Sequence, residues 1–275
     1  MTGLGRPPIL LAVSTQTVSS VQKAARVLCA FTREEREFGV RELARRLGLG
    51  KSATHRLLAT LAAEHLIERD RTTGRYRLGI KIYELGALVP THQGLHEAAA
   101  VCIDELHERT RETVQVGVLD GAEVVYIERR EGIRTLSTFD KFGHRNHAHC
   151  TATGKVLLAA LPQRDLERVL ARDLPARTPY SITDPVVLLE QLERARRLGY
   201  AENVRESDPE IASVAAPIRG SLGAVVAAIS VAGPISTVTG VTRRRFVAAA
   251  IDTANRISER LGYRPDPALA KALRD

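Results

Sequence analysis

Residues 40–61 read VRELARRLGLGKSATHRLLATL, and the fold of the first third of the chain turns on them. Val40, Leu43, Ala44 and Leu47 recur at i, i+3, i+4 and i+7, which predicts a short helix with one apolar face. Gly48, Leu49 and Gly50 break it, and Gly48 suits the left-handed position just past a helix end. A second helix is expected from Lys51 or Ser52 to about Ala63, with Leu57, Leu58 and Leu61 turned inward. Its opposite face carries Ser52, His55, Arg56 and Ala59: small or hydrogen-bonding side chains and no acid. A helix that enters the DNA major groove needs such a face, narrow in its flank and supplied with donors at its N-terminal end. On this reading Lys51 and the first-turn amides meet a phosphate and Arg56 reads a guanine edge. Ser52, Thr54 and His55 complete that set of contacts. The competing reading is a helical hairpin with a solvated polar face.

The flanks on either side favour the first reading. Upstream, Ser19 and Ser20 are placed to cap a helix whose apolar stripe is Val21, Ala24, Ala25, Leu28 and Phe31. The charged run Arg33–Glu37 ends it in a solvated loop. Downstream, Leu66–Arg69 and Tyr76–Leu78 bracket the basic, glycine-containing tip Asp70–Arg75, which predicts a two-stranded hairpin. Such a hairpin after a helix-turn-helix is a wing, and Arg71, Thr73 and Arg75 would lie along the DNA backbone or reach the minor groove. Between Ser19 and Leu78 there are 13 Lys and Arg against 7 Asp and Glu, a surplus of six out of a whole-chain net charge of +8. The positive charge is therefore concentrated in this segment, where a polyanionic partner would bind.

The chain has 275 residues, which suits about two domains, and 44% hydrophobic residues, enough for packed cores. Cys29, Cys102 and Cys150 are odd in number and widely spaced, which excludes a disulfide framework and a paired-cysteine metal site. No apolar run has membrane-spanning length and no signal peptide is recognised, so a cytoplasmic protein with no membrane partner is expected. Residues 1–18 read as a flexible arm.

Residues 40–61 together with the wing ending GRYRLG (Gly74–Gly79) resemble the winged helix-turn-helix of the IclR family of bacterial transcriptional regulators. The second half is similar to that family's effector-binding domain. The resemblance rests on Asp120-Gly121 with VVYI (Val124–Ile127), AHCTATGK (Ala148–Lys155), Ile182–Asp184, Gly199–Ala201, VAAPI (Val214–Ile218) and AISV (Ala228–Val231). It implies an α+β protein in which a winged helix-turn-helix (19–79) is joined by a helical linker (80–94) to a GAF-like antiparallel-sheet domain (95–263), with a tail over 264–275. It further implies a homodimer or tetramer on a palindromic double-stranded operator, controlled by a small-molecule effector, commonly a carboxylate.

The residues themselves support that architecture. A helix should leave the wing through Ile80, Tyr83, Leu85, Leu88 and Val89, break at Pro90, and be followed by another over about Leu95–Thr110. Val114, Val116 and Val118 alternate, Asp120-Gly121 is a hairpin turn, and Val124–Ile127 makes the next strand. Helices follow at about Ala152–Ala160, Gln163–Leu170 and Asp184–Leu198, then strands at Tyr200–Val204, Val214–Ile218 and Val225–Val231. A helix over about Val241–Leu261 closes the domain, and the mixture without strict βαβ alternation reads as α+β.

Cys150–Lys155 is a small-residue turn opening a helix, where the amides of Ala152, Thr153 and Gly154 would converge on a carboxylate. It is no P-loop, because Val156 stands where Ser or Thr would bind magnesium. Carboxylate-sensing relatives add an acid after the Gly-Tyr-Ala turn, a Cys before the Val-Ala-Ala-Pro strand and two Ser on a later strand. Here Asn203, Ser213 and the sequence Ser230-Val231-Ala232 occupy those places. The departures argue against a small hydroxy- or keto-acid and for a larger, less polar ligand such as an aromatic acid. His144, His147 and His149 do not share one helical face and have no acid among them, so no metal or other cofactor is expected, although His149 is placed to line the pocket. Two other functions compete: a ligand-independent architectural DNA binder, and an enzyme. Against the enzyme, there is no G-x-S-x-G elbow and no H-E-x-x-H, and a Cys150 adjacent to His149 is poorly arranged as nucleophile and base.

Overall fold

Three helices and a hairpin close around Val27, Phe38, Leu43, Leu58 and Ile67, all essentially inaccessible to solvent. The elements are α1 (Ser19–Leu28), α2 (Val40–Leu47), α3 (Lys51–Ala63), β1 (Ile67–Arg69) and β2 (Tyr76–Leu78). The computed structural model describes residues 18–32, 35–88, 93–132 and 145–264, which fall into two compact units dividing after Leu88. Gly48 ends α2 at φ +65°, the left-handed cap its sequence required. The expected hairpin forms, with Ile67 opposite Leu78 and Arg69 opposite Tyr76. Phe38 adds a bridge to Tyr76, so the segment before α2 is tied to the wing.

The apolar stripe of α1 is displaced from the expected one. Val21 is 65% exposed and Ala25 is exposed, whereas Val27 and Ala30 are buried beside Ala24 and Leu28. The helix is rotated so that Val27, near its C-terminal end, is its fully buried residue, a choice that spacing alone leaves open. Part of the charged run after α1, at residues 33 and 34, lies outside the described residues. Beyond the wing, α4 (Ile80–Ala87) exposes Ile80, Tyr83 and Leu85, and Leu88 just past its end is exposed too. Val89 and the break predicted at Pro90 lie outside the described residues.

The second unit is one antiparallel sheet with helices on both faces. Its elements are α5 (Gln93–Thr110), β3 (Thr113–Asp120), β4 (Glu123–Arg130), β5 (Arg145–His147), α6 (Ala152–Ala159), α7 (Gln163–Leu170), α8 (Pro185–Leu198), β6 (Ala201–Val204), β7 (Ile211–Arg219), β8 (Val225–Pro234), α9 (Ile235–Val238) and α10 (Arg243–Arg260). The strand order is β5-β4-β3-β8-β7-β6. Period-2 alternation divides the strands between two cores. Val114, Val116, Val214, Ile229 and Val231 pack with α5 and α10. Ala215 and Ala228 face the other way, toward α6, α7 and α8, where Leu158, Leu188 and Leu192 are fully buried. Each of those leucines contributes about 1.5–3 kcal/mol of burial.

One irregularity interrupts the pairing of β3 with β4. Val116 stands opposite Glu128 and Gly117 opposite Tyr126, so Ile127 is an extra residue in β4. This bulge inverts the alternation of the strand. Past it, Glu128 and Arg130 share the α5 face, where they meet His96 and Asp104, and Arg129 turns to the α6 face opposite Gln115.

Candidate functional site

In the first unit, α3 starts at Lys51 after Gly50, whose side-chain-free cap leaves the first-turn amides open. Lys51, Ser52, His55, Arg56, Ala59 and Thr60 are exposed along one side, and Thr54, Leu58 and Leu61 are buried on the other. The exposed side contains no acid and Arg56 has no ion-pair partner among the described residues. Thr54 is a correction to the sequence expectation. It is fully buried and its hydroxyl donates to the Gly50 carbonyl at 3.1 Å, so it anchors the start of the helix and cannot reach DNA.

The wing tip is a built turn. One oxygen of Asp70 accepts from the amides of Thr72 (2.9 Å) and Thr73 (2.7 Å) and from the Thr73 hydroxyl (3.0 Å). The Thr73 hydroxyl also accepts from the Arg75 amide, so its hydrogen bonding is committed to the turn. These bonds, the Thr73 amide foremost, hold the Asp70 carboxyl below its usual range. Arg75 is engaged inside the unit. Its guanidinium donates to the Glu37 carbonyl at 2.8 Å and the Glu42 carboxylate at 2.9 Å, which ties the wing to α2. Arg77 is paired with Glu68. Arg71 is exposed at the tip with no acid paired to it among the described residues.

In the second unit the predicted effector residues gather on the α6 face of the sheet. Cross-strand register forms two polar rows. Thr113, Ala232, Ser213 and Asn203 stand side by side, and in the next row Arg129, Gln115, Ser230, Ala215 and Ala201 do. Thr153 lies over the following row, in contact range of Gly117, where a Cβ would crowd both Thr153 and Val124. At the start of α6 the Thr151 hydroxyl accepts from the Gly154 amide at 3.0 Å. That removes Gly154 from the expected trio of anion donors and leaves the amides of Ala152 and Thr153. Gly154 is glycine for packing: a Cβ there would overlap the Ala148 carbonyl. Asn203 is likewise occupied, donating to the Ser207 hydroxyl at 2.9 Å and accepting from the Glu206 amide at 2.9 Å. These bonds order the 203–207 loop.

Gln115, Ser213 and Ser230 are buried, and their side chains make no hydrogen bond among the described residues. Gln115 and Arg129 were missed by sequence reasoning. Gln115 was implicit in the Val114–Val116 alternation, which sends the residue between to the opposite face. Arg129 reaches that face only because of the bulge, and nothing in the spacing announces it.

His149 is buried, with Nε2 3.1 Å from the Pro175 carbonyl, and desolvation pushes its pKa below the usual value. His147 and His149 rings lie 5.6 Å apart, and His144 lies outside the described residues. Among the described residues no three metal-ligating side chains are grouped to hold an ion. Burial pushes the Cys150 thiol up to about 12, so it stays protonated and unreactive at neutral pH. No described helix is long and apolar enough to cross a membrane.

Both units match known proteins. Residues 20–71 match the model of the IclR helix-turn-helix domain, and residues 88–259 match that of the bacterial transcriptional regulator IclR C-terminal domain. The chain belongs to the IclR family. Similar family members include the regulator KdgR of Dickeya chrysanthemi, 32% identical over 91% of this chain and 82% of that protein, and the regulator XynR of Escherichia coli K12, 32% identical over 90% and 98%. Among solved structures, an IclR homolog of Microbacterium hydrocarbonoxydans complexed with 4-hydroxybenzoate matches with TM-score 0.76, at 28% identity over 88% of this chain and 99% of that one. The IclR of Thermotoga maritima matches with TM-score 0.71, at 29% identity over 89% and 99%. As an IclR-family protein the chain is a sequence-specific DNA-binding transcriptional regulator with a small-molecule effector domain, and not an enzyme.

Proposed function

We propose that α3 is the recognition helix of a cytoplasmic homodimer or tetramer, whose paired heads bind half-sites of a palindromic operator in adjacent major grooves. The acid-free face of Ser52, His55, Arg56 and Ala59 carries this reading. Lys51 and the open amides of the first α3 turn take a phosphate, Arg56 reads base edges, and Arg71 at the wing tip takes a flanking phosphate. The exposed Ile80, Tyr83 and Leu85 of α4, with Leu88 just past it, support a linker segment, about 80–94, that packs against a second copy. On this division residues 19–79 are the DNA-binding domain and 95–263 a GAF-like sensor, a reading supported by the six-stranded antiparallel sheet with helices on both faces.

The effector sits on the α6 face of that sheet. Its carboxylate meets the Ala152 and Thr153 amides, and its body lies over Ser230 and Ser213. Binding shifts the sensor between two arrangements and thereby changes operator affinity.

Fluorescence anisotropy on a DNA fragment captured by genome-wide binding tests the DNA half. Arg56→Ala is expected to weaken cognate binding by about 1–3 kcal/mol and to relax base preference. Cognate binding unchanged by Arg56→Ala would overturn the assignment. Operator affinity that no metabolite alters would favour an architectural binder.

A further inference from the structure

The recognition helix α3 ends on a turn of defined form. Glu64 caps it, the Leu66 amide donates to the Leu61 carbonyl at 3.0 Å, and the His65 amide donates to the Ala62 carbonyl at 3.1 Å. This is the Schellman arrangement, whose left-handed position usually falls to glycine. Here it falls to His65, at φ +58°. The turn aims the His65 carbonyl at Gly79, on the far side of the wing. Gly79 is buried, and its amide donates to the Leu66 carbonyl at 2.9 Å. A Cβ on Gly79 would overlap the His65 carbonyl oxygen and stand 3.1 Å and 3.2 Å from the carbonyl carbons of His65 and Leu66. With φ −85° and ψ 163°, Gly79 has a backbone open to any residue, so space and not conformation selects glycine. Two backbones meet here with no side chain between them, and the joint has no rotamer with which to give.

Gly79 is also the cap from which α4 starts. No residue of α4 is buried, and Ile82 is its one partly covered side chain. Packing along the helix therefore does little to hold its course, and the joint at its first turn sets it. An eight-residue helix is about 12 Å long, so each 10° of change at the joint moves its far end by about 2 Å. Successive base pairs of DNA are only about 3.4 Å apart, so a small error there is enough to put a second head out of step.

We infer that Gly79 is a positioning residue for paired DNA reading: its contact with the His65 carbonyl fixes the direction of α4 relative to α3, and with it the spacing at which two heads meet the operator. The inference rests on the proposed pairing of two copies through α4. It assigns to a residue that touches no DNA a part in choosing which arrangement of half-sites is bound.

The test measures fluorescence anisotropy of the full-length protein on two duplexes: a captured operator fragment, and the same fragment with one half-site scrambled. Wild type should bind the intact duplex at least tenfold more tightly than the scrambled one. Gly79→Ala, which pushes the two backbones apart, should bring that ratio below about threefold while its affinity for the scrambled duplex stays within twofold of wild type. A second variant keeps the joint and turns the helix: one glycine inserted between Gly79 and Ile80 rotates α4 by about 100° relative to α3. The same fall in the ratio is expected, with the oligomeric state of both variants unchanged by light scattering. Variants that keep the tenfold ratio would overturn the inference and spare the pairing of heads. Variants that dissociate, or that weaken both duplexes alike, would give Gly79 a role in assembly or folding alone and overturn it too. Wild-type protein that binds the two duplexes equally would overturn the pairing and the inference together.

Discussion

Lys155 Nζ lies 2.6 Å from Glu206 Oε1, and both side chains are at least nine-tenths buried. The lysine projects from the first turn of α6, and the glutamate belongs to the loop that follows β6. The ammonium also donates to the Glu202 carbonyl at 3.1 Å and to the Gln191 side chain, so its three protons are all used. The second oxygen of Glu206 is buried with no hydrogen bond. This pair fixes the loop that closes the sheet against the helix whose open amides are proposed to hold the effector.

Removing one partner should cost more than removing both. Lys155→Met leaves a buried carboxylate alone and is expected to destabilise the protein by about 3–5 kcal/mol in denaturant unfolding. Lys155→Met combined with Glu206→Leu should recover a large part of that loss. Additive costs in the double variant would show that the two side chains act separately.

Two arginines of the wing should separate cleanly. Arg71→Ala should leave the melting temperature unchanged, weaken binding to all DNA sequences alike and flatten the salt dependence by about one charge. Arg75→Ala should instead lower stability, by about 1 kcal/mol given the partial exposure of its pair with Glu42, and loosen the wing. Equal salt slopes for wild type and Arg71→Ala would remove Arg71 from the interface.

His149 gives the sensor a pH dependence of defined sign. Burial, with His147 and Lys155 nearby, pushes its pKa below 6.5, and the bond to the Pro175 carbonyl opposes this only in part. A depressed folded-state pKa means the unfolded chain binds the proton more readily. The stability His149 contributes is therefore present above about 6.5 and is lost as pH falls through the lower folded value. Thermal unfolding between pH 7.5 and 5 should show this loss, and His149→Gln should flatten that part of the profile. An unchanged profile in the variant would assign the effect elsewhere.

Thiol accessibility checks the packing of both units. Cys29 is exposed, whereas Cys102 and Cys150 are buried. A maleimide at neutral pH should label one thiol of the native chain and three after unfolding. Rapid labelling of Cys150 would mean that the turn before α6 opens far more readily than its burial implies.

Much of this architecture was legible because the elements are long and regular. The Val114–Val116–Val118 alternation, the Asp120-Gly121 turn and the helices at Gln163–Leu170 and near Asp184–Leu198 all occur where the pattern put them. The misreadings share a cause: a one-dimensional pattern does not fix which way a side chain turns. In α1 two stripes fit the spacing, and packing of Val27 selected one. Thr54 lies on the same helix as Ser52 and His55 but on its inner side. The Gly154 amide donates to the Thr151 hydroxyl and the Asn203 amide to the Ser207 hydroxyl, local bonds that no spacing reveals. Nothing in the spacing around Arg75 announces the Glu42 beside it.

The extra residue at Ile127 has a practical meaning for anyone re-coding such a sensor. It exchanges the roles of odd and even positions along β4, so that 129 faces the α6 side while 128 and 130 serve as fasteners to α5. A mutant library built on simple alternation from Tyr126 would vary the fasteners and leave position 129 constant. Deleting one residue at the bulge would do what no point substitution can, turning the fastening side chains inward as a set.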